Sequence, residues 1–222
     1  MKYLSGLILM FSMTFGFTSC AQSTKKQKKE KIAQLSQKDL SKYSQAVFAS
    51  GCFWHTEALF DGMKGVAEAV SGYAGGKTIE PTYESVLTGN TGHAESVMVY
   101  YDSTKVSYST LMKAYFEAQD PTSVNGQGYD RGSQYRSLAF YNSPEQKTML
   151  ENYIKELNAS KIYKDPIAVQ VVPYQKFWKA EDYHQEYVLK NPNSSYVQNV
   201  CIKDVRKFQK KFPELIKPDY MF

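Results

Sequence analysis

Apolar and polar positions alternate most cleanly at 94–101, AESVMVYY. There Ser96, Met98 and Tyr100 fall on one side of a strand and Val97, Val99 and Tyr101 on the other. A short apolar strand is predicted at 46–49, stopped by Ser50-Gly51, and another at 66–73, broken by Gly75-Gly76. Between them Phe53, Glu57 and Phe60 recur at helical spacing, which predicts a helix from Cys52 to about Asp61. Pro81-Thr82-Tyr83-Glu84 opens a short helix ended by Gly89, and Ser107 caps a helix running to Ala118. Residues 120–135 are rich in Gly, Asp, Asn and Gln and read as a long loop, which in a compact domain usually carries function. Strands follow at 137–141 and 169–172, and helices at 144–157, 181–189 and 205–212. This alternation predicts an α/β (α+β) two-layer sandwich with a mixed, largely antiparallel sheet.

The first 45 of the 222 residues break the pattern. Lys2 is followed by an uncharged, apolar or small run from Tyr3 to Phe17. It is shorter than the ~20 residues a spanning helix needs, so 1–19 reads as an export signal. Thr18-Ser19-Cys20 resembles a bacterial lipobox, with Phe17 where Leu is usual; Cys20 is then the lipidated residue and 20–45 a Lys-rich tether. Seven lysines stand in 21–45 against Glu30 and Asp39, whereas from Ala46 on there are 19 basic and 20 acidic residues. The overall charge of +5 therefore belongs to the N-terminal segment. The body at 46–222 lacks the basic footprint of a nucleic-acid binder. The expected location is the bacterial cell envelope, anchored to a membrane through lipid. Three cysteines, Cys20, Cys52 and Cys201, are too few for a disulfide scaffold.

Cys52 follows a strand and a glycine turn and opens a helix. A thiol there meets unpaired backbone N–H groups and the positive end of the helix dipole, which predicts a lowered pKa. A buried structural cysteine beside Phe53 and Trp54 is the alternative reading. Three other chemistries are open on the residues alone. One is a thiol hydrolase using Cys52, His184 and Glu95. Another is a metal site from Cys52, His55, His93 and Cys201, weakened by the lack of a second closely spaced pair. The third is a non-catalytic envelope binding module.

The motifs GCFWHTEALF (51–60), SGYAGG (71–76), PTYESVLTGNTGHAESVMVYYD (81–102), QDPTSVNGQGYDRGSQYRS (119–137) and WKAEDYHQEYVLKNP (178–192) together resemble the peptide methionine sulfoxide reductase A family. They keep the family's order and span nearly the whole body. The resemblance implies a ferredoxin-like core and thiol-dependent reduction of methionine-S-sulfoxide, free or in proteins. It implies Cys52 as nucleophile passing through a sulfenic acid. Glu95 becomes the proton donor, with Tyr83 and Tyr135 hydrogen-bonding the sulfoxide oxygen. Phe53 and Trp54 receive the substrate's methyl group, and Asp130 helps position it. Glu57 reads as structural, His184 as a hydrogen-bonding residue of the fold, and His93 as shaping the turn before Glu95. No bound cofactor or metal is expected; the electrons come from an external thioredoxin-like thiol, and the chain is expected to be monomeric.

Departures from the family pattern are His55 in place of a small residue, Gln119 in place of His, and Tyr129 where Asn is common. The usual YCQ segment reads Tyr196-Val197-Gln198, without its cysteine. Cys201, four residues on, is either a resolving thiol that swings in on a mobile C-terminal segment or a buried hydrophobic residue, in which case an external thiol reduces the sulfenic acid directly.

Overall fold

The structure, a computed structural model, describes residues 39–222. The expected export segment 1–19, Cys20 and the tether as far as residue 38 lie outside the described residues. At the end of the N-terminal unit the Asp39 carboxylate accepts from the Ser41 amide at 3.0 Å and from its hydroxyl at 2.6 Å. Lys42–Phe222 forms the second unit.

In chain order that unit reads β1 (Ser44–Ala49), α1 (Phe53–Asp61), β2 (Val66–Ala74), α2 (Tyr83–Leu87), β3 (Ala94–Tyr101) and α3 (Tyr108–Glu117). Next come a small hairpin, β4 (Gly126–Gln127) with β5 (Asp130–Arg131), and a 3₁₀ turn at Ser133–Tyr135. Then follow β6 (Leu138–Tyr141), α4 (Pro144–Ser160), β7 (Gln170–Pro173), β8 (Phe177–Lys179) and α5 (Tyr187–Lys190). A π-helical turn at Val197–Cys201 leads into α6 (Ile202–Lys211). The six-stranded sheet has the order β7-β6-β1-β3-β2-β8; every neighbouring pair is antiparallel except β6 and β7.

Alternation along β1 divides the core. Ala46 and Phe48 join Val97 and Val99 in the main cluster, which also takes the buried residues of α1, α3, α4 and α6. Val47 and Ala49 face the other side, with Met98, Leu138 and Phe140. The helices thus pack on one face of a mixed, mostly antiparallel sheet, in line with the expected α/β layering. Phe48 is fully buried, its ring stacked 4.8 Å from Tyr115 and 5.2 Å from Phe60. The Tyr115 hydroxyl donates to the Ala49 carbonyl at 2.9 Å, which holds the end of β1 where the chain turns into α1. No helix among the described residues is long and apolar enough to cross a membrane.

Three expectations change. β1 begins at Ser44, two residues before the expected strand start. The expected helix at 181–189 is largely turns, with α5 covering only Tyr187–Lys190. Glu186 sits in the left-handed region at φ +55, and the Gln185 amide donates to the carbonyls of Ser71 and Ala180, so side-chain bonds across to β2 replace helical ones. The segment 177–179 is a strand on β2, pairing Trp178 with Tyr73, which its three residues were too few to announce.

Candidate active site

The chain leaves β1 through Ser50 and Gly51 and enters α1 at Phe53, with Cys52 as N-cap residue. Gly51 lies at φ +61, and a Cβ there would come within 2.6 Å of the Gln127 Cβ, so only glycine fits. A buried amide network backs this turn. The Gln119 Oε1 accepts from Ser50 Oγ at 2.8 Å, Ser137 Oγ at 2.7 Å and Gln127 Nε2 at 3.1 Å. The loop at 119–127 is thereby fixed beneath the nucleophile's turn.

Beside the turn lies a cavity of ≈ 240 Å³. Its walls bring together every expected catalytic and substrate residue except Cys201: Cys52, Phe53, Trp54, Tyr83, Glu95, Asp130 and Tyr135. One unexpected residue, Tyr196, completes the lining. Glu95 is 1% exposed, on β3 opposite Tyr73. The Phe53 amide donates to its Oε2 at 3.0 Å, so the first N–H of α1 is spent on the carboxyl rather than on the thiol. The other oxygen, Oε1, is buried with no protein partner. Burial raises Glu95 to about 8, with the Asp130 charge adding to the rise and the Phe53 amide opposing it. Glu95 is therefore mostly protonated at neutral pH and can donate.

Cys52 departs from expectation. Burial pushes its thiol well above the ordinary range, and the Cys201 thiol, Glu95 and Asp130 push the same way. Helix-opening geometry does not lower it here, because the residue is only 8% exposed and lies among acids. His55 gives no compensating charge. Burial lowers its pKa despite Asp204 nearby, which keeps the ring neutral at pH 7. The resting site holds a thiol.

Cys201 is 1% exposed and lies near enough to Cys52 for its thiol to help push the Cys52 pKa up. It ends the π-helical turn that runs directly into α6. Such turns shift side chains by one position relative to a regular helix and often mark functional sites. Cys201 is thus buried in the fold rather than carried on an exposed tail.

The aromatic wall is held from behind. The Trp54 indole stacks on Tyr187 at 3.6 Å and 7°, and its Nε1 donates to His184 Nδ1 at 3.1 Å. The other ring nitrogen, Nε2, is buried with no protein partner. His184 also packs 4.9 Å from Phe53 and 4.4 Å from Tyr83. The backbone N–H of Tyr83 donates to Glu181 Oε1 at 2.9 Å, and Glu181 Oε2 accepts from the Tyr73 hydroxyl at 2.8 Å. The Tyr196 hydroxyl donates to both oxygens of Asp130, at 3.0 and 2.8 Å. Burial raises the phenols of Tyr83 and Tyr135, with Glu95 as the next cause, so both remain donors.

Glu57, 2% exposed, accepts the Glu186 amide at 3.0 Å, the structural part expected of it. His93 takes the Gly76 amide at 3.2 Å and contacts the Thr78 carbonyl at 2.8 Å, bracing the turn before β3. The four residues of the metal reading are not assembled. Among the described residues, no group of three or more His, Cys, Asp or Glu side chains is placed to hold a metal. Tyr196, Glu181 and Tyr187 were missed as site residues. Tyr196 adjoins the position of the missing YCQ cysteine, which was the available signal.

The family model described as peptide methionine sulfoxide reductase matches residues 44–216. A curated relative of that name from Rhodopirellula baltica is 45% identical over 172 residues, 78% of this chain and 88% of the relative. One from Thermus thermophilus is 43% identical over 173 residues, 78% of this chain and 97% of the relative. Among solved structures, methionine sulfoxide reductase A of Corynebacterium diphtheriae superposes with TM-score 0.61 at 36% identity, covering 68% of this chain and 76% of that one. Reduced Mxr1 of Saccharomyces cerevisiae gives 0.64 at 31%, covering 71% and 91%.

Proposed function

The chain belongs to the peptide methionine sulfoxide reductase family, and on that premise we propose how its residues divide the reduction of methionine sulfoxide to methionine. The carrying observation is Glu95, whose raised pKa and unpartnered Oε1 accompany Cys52 at one cavity. A sulfoxide oxygen is a poor leaving group until it is protonated. Glu95 donates to it, and the Tyr83 and Tyr135 hydroxyls hydrogen-bond it, which makes the sulfur electrophilic. Cys52 sulfur attacks that sulfur, and the S–O bond breaks. The oxygen passes to the Cys52 sulfur as the transient bond between the two sulfurs breaks, giving a sulfenic acid whose O–H carries the Glu95 proton; the thiol's proton restores the Glu95 carboxyl, and methionine leaves with its methyl group against Phe53 and Trp54. The epimer read is S at sulfur, as the family resemblance implies.

The Cys201 thiol then attacks the Cys52 sulfenic acid. An S–S bond forms and water leaves. Its support is the buried Cys201 thiol, near enough to Cys52 to act on its pKa. A thioredoxin-like dithiol reduces the disulfide, becoming a disulfide itself. The order β1-α1-β2-β3-α3-β6, with β6-β1-β3-β2 adjacent and antiparallel, supports a ferredoxin-like core. The reading extends to repair of oxidised envelope proteins by a monomer held through lipidated Cys20. It is supported by the pattern of residues 1–20 and by the lysine-rich segment after it. Turnover of separated epimers of N-acetyl-methionine sulfoxide with dithiothreitol tests the chemistry. S-selective turnover lost in Cys52→Ser is expected; turnover that survives Cys52→Ser would exclude the scheme.

A further inference from the structure

The last helix carries a charge pattern that the chemistry above leaves unused. From Asn191 to Lys211 the only acidic residue is Asp204. Within that stretch α6 holds Lys203, Arg206, Lys207, Lys210 and Lys211, five of the 19 basic residues from Ala46 on. The rest of the body is left with 14 basic residues against 19 acidic ones. Burial sets the face on which the cations stand. Ile202, Val205, Phe208 and Gln209 are buried. The helical period then puts Lys203, Arg206, Lys207 and Lys210, at i, i+3, i+4 and i+7, together on the opposite side. Lys203, Lys207 and Lys210 are exposed. Among the described residues Lys207 pairs with Asp204 and Lys211 with Glu117, both at 2.6 Å, which leaves Lys203 and Lys210 without an ion pair.

This pattern works against the helix that bears it. Like charges at i, i+3 and i, i+4 repel, and Lys203 in the first turn opposes the helix dipole. Helix stability therefore does not account for the cluster, whereas an acidic partner laid on it would relieve the repulsion. Position says which partner. Cys201 is the N-cap residue of α6, two residues before Lys203. The Arg206 guanidinium donates to Gln198 Oε1 at 2.8 Å, inside the π-helical turn that Cys201 ends. Both thiols are buried, so a protein that reduces a bond between them must lie against the surface nearest to them. The chain entering that turn offers the exposed, uncharged Asn193, Ser195 and Asn199. The helix leaving it offers cations over about 10 Å, from Lys203 to Lys210.

Resting on the proposed Cys52–Cys201 disulfide, we propose that the basic face of α6 is the docking surface for the reductant, and that it selects a dithiol protein with an acidic surface. The partner's dithiol passes two electrons and two protons to the S–S bond and leaves as a disulfide, freeing both cysteines as thiols. Complementary charge of this kind acts chiefly on the rate of encounter and is screened by salt.

The test uses the full chain and a thioredoxin of net negative charge, recycled by its reductase and NADPH, with dithiothreitol as the parallel reductant. At low salt Lys203→Glu/Lys210→Glu should lower kcat/KM for thioredoxin about 10-fold or more. The gap should close in about 0.5 M salt. Lys203→Arg/Lys210→Arg should keep the wild-type value. Dithiothreitol, small and uncharged, should drive both variants as it drives wild type. Thioredoxin kinetics unchanged in the glutamate variant would overturn the docking face, as would an equal loss with dithiothreitol. Binding to phosphatidylglycerol vesicles that the glutamate variant loses, with thioredoxin kinetics unchanged, would give the face to a membrane instead and overturn it too. Wild type driven by dithiothreitol but not by thioredoxin at any salt would overturn the disulfide reading itself, and the docking face with it.

Discussion

At the scale of single residues the site turns on one inversion of charge. The acid expected to donate is held protonated, and the thiol expected to ionise is held neutral. Both follow from burial. Charge is costly where water is excluded, and the Phe53 amide that would favour a thiolate is bonded to Glu95 instead. That Cys52, Glu95, Tyr83 and Tyr135 would meet was legible from motif order, and a buried Glu95 was expected to stay protonated, but the neutral thiol of Cys52 was not legible. The state of Cys52 depends on neighbours 43 to 149 residues away in sequence, Glu95, Asp130 and Cys201. Tyr196 was illegible for a similar reason, since nothing local says that its hydroxyl will meet Asp130. In the proposed scheme the protonated form of Glu95 is the donor, so the activity it supplies is present below its pKa and lost above it. In single turnovers kcat/KM should therefore decline as pH rises through about 8. Glu95→Gln should lose that limb and about 10²–10⁴ of the rate. A limb unchanged in the variant would assign the titration to another group.

At the scale of elements, the strand-turn-helix unit of β1 and α1 was readable because its apolar run, glycine and aromatic pair each say the same thing locally. The segments around Glu181–Lys190 and Val197–Cys201 were not. Their shape comes from contacts made elsewhere: Gln185 bonding Ser71 across to β2, and Cys201 packing at Cys52. β8 is stabilised by pairing with β2 rather than by its own three residues. The Gly51 junction carries the tightest constraint. Gly51→Ala adds a left-handed alanine and a clash with Gln127, so unfolding in urea should show a loss of about 1–3 kcal/mol together with reduced turnover. An unchanged midpoint with full activity would mean that the turn has slack the geometry does not show.

At the scale of the whole molecule, the layered α/β arrangement was legible from periodicity, because each strand and each long helix buries one face in a shared core. The sheet order was not legible, since it is set by which edges meet. That order has a functional result. It places β3 between β1 and β2, so Glu95 lies next to the strand that delivers Cys52, and Tyr196, just before the C-terminal turn, joins the same cavity lining. In the proposed scheme three distant parts of the chain supply the acid, the nucleophile and the second thiol. The central claim is that oxygen passes from substrate to Cys52 and that Cys201 then captures the oxidised sulfur. A single turnover without added reductant tests it, counting methionine formed and mapping the cysteines by mass spectrometry. About one methionine per chain is expected, with Cys52 and Cys201 joined in a disulfide. Methionine formed while Cys52 remains a free thiol, or no methionine at all, would contradict the account.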